Sequence, residues 1–377
     1  MTETDTLPDT DDDLDTAPPP DHRFPCDACG SDFRFAPLAR MLVCDHCGNT
    51  AQLEELPQAL AMEELDFHSA LKGDLDADEI EETRTLSCTN CGAQVEFDPA
   101  QHAAECPFCA TPVVTGTGAN RHIKPRGVLP FALDEDAARD ALQDWLGSLW
   151  FAPNGVDEYA RKGRKMNGIY VPYWTFDADT KSQYTGARGT HYYVNQTVTR
   201  NGKTETRRVR KTRWRNVSGR VARFFDDVLV LASKSLPKKY TDRLSPWDLS
   251  DLRPYQPEYL AGFRAEAYTI ELDEGFEEAK GIMNRQIERD VRFDIGGDAQ
   301  RISTLKTQVR DVTFKHVLLP VWMAAYKYRG KTYRFVVNGR TGLVQGERPY
   351  SAWKITIAVL LLCIVAGVAG YFYAINQ

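Results

Sequence analysis

Cysteine is scarce outside one pattern. Of nine cysteines in 377 residues, eight fall in four CxxC pairs and the ninth, Cys363, lies in an apolar run. That is too few for a disulfide framework in a chain of this length. The common signatures of catalytic sites are also missing: there is no GxGxxG, no HExxH and no GxSxG. Two Gly-Lys-Thr triplets, Gly202-Lys203-Thr204 and Gly330-Lys331-Thr332, lack the earlier glycine of a phosphate-binding loop; Thr197 and Ala325 stand in its place. No nucleotide-driven motor is supported, and neither an enzyme nor a small-molecule substrate is expected. The N-terminal MTETDTLPDT has neither the basic nor the apolar region of a secretory signal. Thiols should therefore stay reduced, and reduced CxxC pairs favour metal over disulfide. Lysine and arginine are absent from residues 1–22, whose eight acids supply −8 of a net −7, so the other residues sum to +1. That acidic segment is expected to be disordered. Long apolar runs are confined to one, and a mean hydropathy of −0.43 excludes a polytopic membrane protein.

What is present begins with an internal repeat. Cys26-x2-Cys29-x14-Cys44-x2-Cys47 recurs as Cys88-x2-Cys91-x14-Cys106-x2-Cys109 at a constant offset of 62, and Phe35 and Pro37 align with Phe97 and Pro99. Identical spacing means one small module used twice. Each CxxC offers two thiolates from one knuckle, and Gly30, Gly48 and Gly92 follow three of the four knuckles. Four thiolates suit tetrahedral Zn2+, so two closed zinc sites are expected, with His22, His46 and His102 outside the first shell. Redox CxxC chemistry needs one pair on a thioredoxin-like unit, not four.

The expected organisation is an acidic tail 1–22, a ribbon 23–50, an acidic linker 51–85, a second ribbon 86–114, an α+β body 115–350 and a transmembrane helix 355–375. Helices are expected over Leu133–Trp150, capped by Asp134, and Asp273–Asp290, with Phe276, Ala279, Met283 and Ile287 on one face. Strands are expected at Ile169–Asp177, Tyr192–Thr199, Thr204–Trp214, Asp227–Ala232, Val317–Tyr328 and Lys331–Val337. Asn201-Gly202 marks one hairpin and Arg329-Gly330 a second. Val171-Pro172-Tyr173-Trp174 is echoed by Leu319-Pro320-Val321-Trp322, either as the mark of two related subdomains or as a coincidence. Asp226-Asp227 reads as a pair of strand-edge charges and Gly296-Gly297-Asp298 as a turn after a strand.

The hairpin 192–215 is strongly basic. Arg200, Lys203, Arg207, Arg208, Arg210, Lys211, Arg213 and Arg215 face Glu205 alone, a net +7 over Arg200–Arg215. Over Thr204–Arg215 both alternating faces are polar, with Val209 the only aliphatic residue, so the hairpin should project as an arm. Its candidate partners are nucleic-acid phosphate, anionic lipid, an acidic protein and the chain's own acidic tail.

Residues 355–375, ITIAVLLLCIVAGVAGYFYAI, are uncharged, about 31 Å as a helix. Trp353, Tyr371 and Tyr373 stand where interfacial aromatics do, and Arg340, Arg348 and Lys354 lie on the N-terminal side. A tail-anchored inner-membrane protein with a cytoplasmic body is expected. Cys363/Gly367 and Ala366/Gly370 are small-xxx-small pairs that permit helix packing within the span.

The double ribbon (CDACG…CDHCG, CTNCG…CPFC), the strand GIYVPYWTFDA, the segment VNGRTG and the C-terminal span together resemble bacterial membrane-anchored proteins with zinc ribbons of the TFIIB type. Relatives of this sort often carry the label primosomal protein N′ (replication factor Y), superfamily II helicase. The paired knuckles account for that label, because the nucleotide motifs of a helicase are missing. The resemblance implies neighbours of the SPFH or phage-shock type, and hence a non-catalytic adaptor that recruits protein partners to the membrane. The alternative is a nucleic-acid-binding protein of replication restart or transcription.

Overall fold

Three strands far longer than expected form the spine. The computed structural model describes residues 24–96, 103–106, 108, 112–114, 118–148, 166–200, 203–328, 331–347 and 352–375. Small elements come first: β1 (Phe33–Ala36), β2 (Met41–Cys44), β3 (Thr50–Ala51), α1 (Ala59–Met62), β4 (Leu65–Asp66), α2 (Phe67–Lys72), β5 (Ile80–Ser87), β6 (Gln94–Glu96), β7 (Ala103–Glu105), β8 (Pro112–Val114), β9 (Gly118–Ile123), β10 (Gly127–Val128) and α3 (Glu135–Gly147). The spine and its cover follow: β11 (Asn167–Arg200), β12 (Lys203–Leu231), α4 (Lys238–Thr241), β13 (Arg253–Pro254), β14 (Arg264–Ala265), α5 (Leu272–Ile295), β15 (Ala299–Tyr328), β16 (Lys331–Asn338), β17 (Val344–Gly346) and α6 (Ala352–Ile375). The result is the expected α+β class.

Four short strands of the sequence reading merge into two. Ile169–Asp177 and Tyr192–Thr199 belong to the 34-residue β11, and Thr204–Trp214 and Asp227–Ala232 to the 29-residue β12. Between them the inward side chains of β11 are small or carry a hydroxyl, and the three hydroxyls are each hydrogen-bonded. The Thr180 hydroxyl donates to Arg223 O (2.8 Å), Ser182 pairs with Thr307 (2.8 Å) and the Tyr184 hydroxyl donates to Asp294 (2.5 Å). Helix α5 covers this face with Phe276, Ala279, Met283, Ile287, Val291 and Ile295. It ends at Gly296, whose φ of +63° stops the helix, so Gly296-Gly297-Asp298 follows a helix and not a strand. Asp134 caps α3 as expected, accepting from Ala137 N at 2.9 Å, while Leu149 and Trp150 lie outside the described residues.

The proline-tryptophan echo is one pairing. Pro172 stands opposite Leu318 and Pro320 opposite Tyr170, in the antiparallel ladder of β11 with β15. Each proline sits where its strand changes neighbour. Below Pro172, β11 pairs with β14, and above it with β12; below Pro320, β15 pairs with β10, and above it with β16. A residue with no N–H is tolerated at such a changeover.

The stretch 51–85, expected as an acidic linker with a short amphipathic piece, is built into the body. Its β4 pairs with β15 at Phe314 and Thr313, Ala61 and Phe67 are buried, and β5 pairs with β9. The acidic segment 1–22 lies outside the described residues.

Candidate metal centres and cationic arm

Each described knuckle is the same turn. Cys26 O accepts from Gly30 N (2.8 Å), Cys44 O from Gly48 N (2.9 Å) and Cys88 O from Gly92 N (2.8 Å). The three glycines have φ of +75°, +76° and +73°, a conformation that a side chain disfavours. Strands β1 and β2 form the hairpin that returns the second knuckle to the first, with Phe33 opposite Cys44.

The sulfurs of Cys26, Cys29, Cys44 and Cys47 lie within 4.8 Å of one another, as do those of Cys88, Cys91 and Cys106. Sγ–Sγ distances are 3.6 Å for Cys26–Cys47, 3.5 Å for Cys29–Cys44 and 3.6 Å for Cys91–Cys106. These are near the edge of about 3.8 Å expected around a tetrahedral ion with 2.3 Å bonds. They are far beyond the roughly 2.05 Å of a disulfide. Both clusters can therefore hold a metal ion. Cys109 lies outside the described residues, as do His22 and His102, and His46 is exposed and outside the cluster.

Thiol acidity within the first cluster is split. Burial raises Cys26, but hydrogen bonds from the Asn49 side chain and the backbone of Ala28 and Cys29 outweigh it and leave it at about 6. Cys47 receives a lowering bond from Asn49 N, yet the neighbouring sulfurs, Cys29 first, and burial push it up to about 12. Four sulfurs this close cannot all ionise alone, and a divalent cation removes the conflict.

Neither module stands free. In the first, Phe35 N donates to Ala261 O (2.9 Å), and the Phe35 ring meets Tyr259 edge-on at 5.2 Å. The second bridges to the body through Val95 and Glu266, and Ala267 N donates to Gln94 O at 3.0 Å. Cys88, Cys106 and Phe108 share one apolar cluster with Ile169, Val171 and Leu319. Glu266 is buried under this contact, accepts from Ser233 Oγ at 2.7 Å, and burial pushes its carboxyl up to about 8.

The arm is where β11 and β12 outrun β15. The last rung of β11 on β15 is Gly189–Ala299, whereas its pairing with β12 continues to Arg200–Lys203; Asn201 and Gly202, expected as the hairpin turn, lie outside the described residues. Thr190–Arg200 therefore runs as a two-stranded ribbon about 35 Å long. Arg207, Arg208, Arg210, Lys211, Arg213 and Arg215 are exposed and have no carboxylate partner among the described residues. Arg208 lies 4.4 Å from the Tyr193 ring and Arg213 5.4 Å from that of Tyr192. Nothing is described of the side chains of Arg200 and Lys203.

One group was not legible as a site. Asp177 and Asp227 meet at a bulge, with Asp227 at φ +51° and its N–H donated to Asp177 Oδ1 at 2.8 Å. The register of β15 shifts at the same level, at Asp311 with φ +49°. Glu64 joins them, and the buried Lys315 ammonium lies 2.7 Å from Glu64 and 2.9 Å from Asp227. Asp227 is therefore an inward partner and not an edge charge. The carboxylate oxygens of Glu64, Asp177 and Asp227 lie within 4.8 Å of one another, and the cluster carries its own cation in Lys315. Burial first, then Glu64, pushes Asp177 up to about 7; Glu64 is itself lowered, because bonds from Lys315 and Thr313 outweigh its burial.

Helix α6 holds a 21-residue stretch, Trp353–Tyr373, of mean hydropathy 2.5 with none of it buried, long and apolar enough to cross a membrane. Lys203-Thr204 and Lys331-Thr332 of the two Gly-Lys-Thr triplets open strands β12 and β16, not helices.

No family model matches the chain, and no solved structure does. It is similar to the uncharacterized protein YdjG of Bacillus subtilis (strain 168), 27% identical over 334 residues, which cover 88% of this chain and 91% of the relative. The likeness therefore runs through nearly the whole length of both proteins.

Proposed function

We propose that this protein is a non-catalytic, membrane-anchored adaptor whose anchored end contains two zinc ribbons and whose cationic arm meets an anionic partner away from the bilayer. The carrying observation is the sheet register. Strand β17 pairs with Phe335–Val337 of β16, which pair with Trp322–Ala324 of β15. Those lie level with Asn167 and Gly168 at the start of β11, the end opposite the arm. The chain leaves β17 heading away from the arm, and α6 begins six residues later, at Ala352. Both ribbons pack at that same end.

All-sulfur tetrahedral sets favour zinc among the common metals, and such closed sites stabilise a module without offering an open position for catalysis. The excess of Arg340, Arg348 and Lys354 before the apolar run 355–375 supports a cytoplasmic body at the inner membrane. Crosslinking and pull-down from membranes tests the adaptor role. Intact chain should capture partners that a full-length variant with neutralised arm does not, while both stay in the membrane fraction. Recovery of the intact chain in the soluble fraction, or identical capture by both, overturns it.

A further inference from the structure

We infer that the partner of the arm is a nucleic acid, held along both faces of the two-stranded ribbon. This rests on the proposal that the arm meets an anionic partner, and it names the class.

The nearest anion, the bilayer surface, is out of reach. From Gly168 to Arg200 there are 32 residues of continuous strand, roughly 100 Å of contour. If α6 is the membrane anchor, lipid headgroups lie at the wrong end of the sheet. The first ribbon packs on the Tyr259–Phe263 segment beside Gly168, at that same end. Arg215 stands opposite Arg188, about 66 Å up the strand, and Arg207 opposite Gln196, about 92 Å up.

The distribution of charge selects among the remaining partners. Directly paired residues of an antiparallel ladder share a face. Arg188 with Arg215, Thr190 with Arg213, Tyr192 with Lys211 and Gln196 with Arg207 make one face. It continues the face that α5 covers lower down, since Gly186 faces Ile295 and Arg188 faces Gly296. Tyr193 with Arg210 and Asn195 with Arg208 make the other. A partner with one acidic patch, whether a bilayer or a protein surface, would need cations on one face only. A ribbon two strands wide fits the major groove, about 12 Å across, where phosphates wall both sides. Five of the six described arm cations are arginine, the better phosphate ligand. Tyr192 and Tyr193, 39% and 55% exposed, put one ring on each face beside a guanidinium, which suits stacking on unpaired bases.

The test uses the full-length, zinc-loaded chain in zwitterionic nanodiscs. The probes are a labelled duplex and a labelled single strand of about 30 nucleotides, polyglutamate, and separate phosphatidylglycerol vesicles, titrated from about 50 to 200 mM salt. Either oligonucleotide should bind, with a log–log salt slope for five phosphate contacts of about −4.5 on the duplex and about −3.5 on the single strand. The variant R207Q/R208Q/R210Q/K211Q should lose at least about tenfold in affinity and most of that slope. Its zinc content, unchanged, certifies the fold. Y192A/Y193A should weaken the single strand more than the duplex. Arm-dependent binding of polyglutamate without oligonucleotide binding overturns the nucleic-acid inference and leaves the adaptor proposal standing, whereas arm-dependent binding of the vesicles alone overturns both, since it makes lipid the partner. Absence of arm-dependent binding to every probe overturns both.

Discussion

The two ends of β11 obey opposite rules. At its start, Ile169, Tyr170, Val171, Tyr173, Trp174 and Phe176 are all buried, and the strand is packed on both faces. Past His191, whose N–H donates to Asp298 Oδ2 (2.7 Å), the same strand keeps one neighbour among the described residues, with its tyrosines exposed. The packed end is fixed by apolar burial and metal-ready knuckles. The free end is held by the backbone ladder of β11 on β12, so its side chains can serve a partner. Stability and recognition are thus separated along one strand, and mutations should divide the same way.

The sharpest break should come from the knuckles. Total zinc of about two per chain should fall to about one in Cys26→Ser and in Cys88→Ser, measured by metal analysis. Cys88→Ser should cost more thermal stability, because Cys88 lies inside the apolar cluster of the body whereas Cys26 packs in the smaller cluster of the first ribbon. Unchanged zinc in both variants would refute the ligand assignment. Next comes Trp174→Ala, which empties the space under Gly275 and frees Ile270 O from its bond with the indole N–H (2.9 Å). A loss of about 3–5 kcal/mol is expected in denaturant unfolding.

Asp177 gives a smaller, pH-dependent effect. Between its ordinary value of 3.8 and about 7, the folded chain keeps a proton that the unfolded chain releases. Stability contributed there falls as pH rises through that window. Asp177→Asn should therefore raise the thermal midpoint at about pH 8, leave it nearly unchanged at about pH 4, and flatten the profile between them. The smallest effect belongs to the arm. Tyr193→Ala should change stability by less than about 0.5 kcal/mol, since the ring is exposed. A larger loss would mean that the arm is packed after all.

Local chemistry was the readable part. Knuckle cysteines, their glycines, the Asn-Gly hairpin, the Asp134 cap and the apolar run each depend on a few neighbouring residues. Strand length was not readable, because the middle of β11 turns Thr180, Ser182 and Tyr184 inward and hides the apolar alternation that would mark one strand. The Glu64–Lys315 contact joins residues 251 positions apart, which no local pattern announces. Adjacent acids in a strand, Asp226-Asp227, were the only trace of the bulge, and their opposite-face logic fails where one residue turns to positive φ. The segments GIYVPYWTFDA and VNGRTG are explained by architecture. The first is the packed start of β11, and the second is a turn in which Asn338 Oδ1 accepts from Arg340 N (2.8 Å) and Thr341 N (3.1 Å).

The outer margin of β12 has no neighbouring strand among the described residues. A long open margin invites a second molecule to zip onto it. Here such docking would crowd the arginines of one copy against those of the next, and like charge keeps the copies apart. The glutamine variant loses that safeguard, so its tendency to self-associate should rise as its hold on polyanions falls.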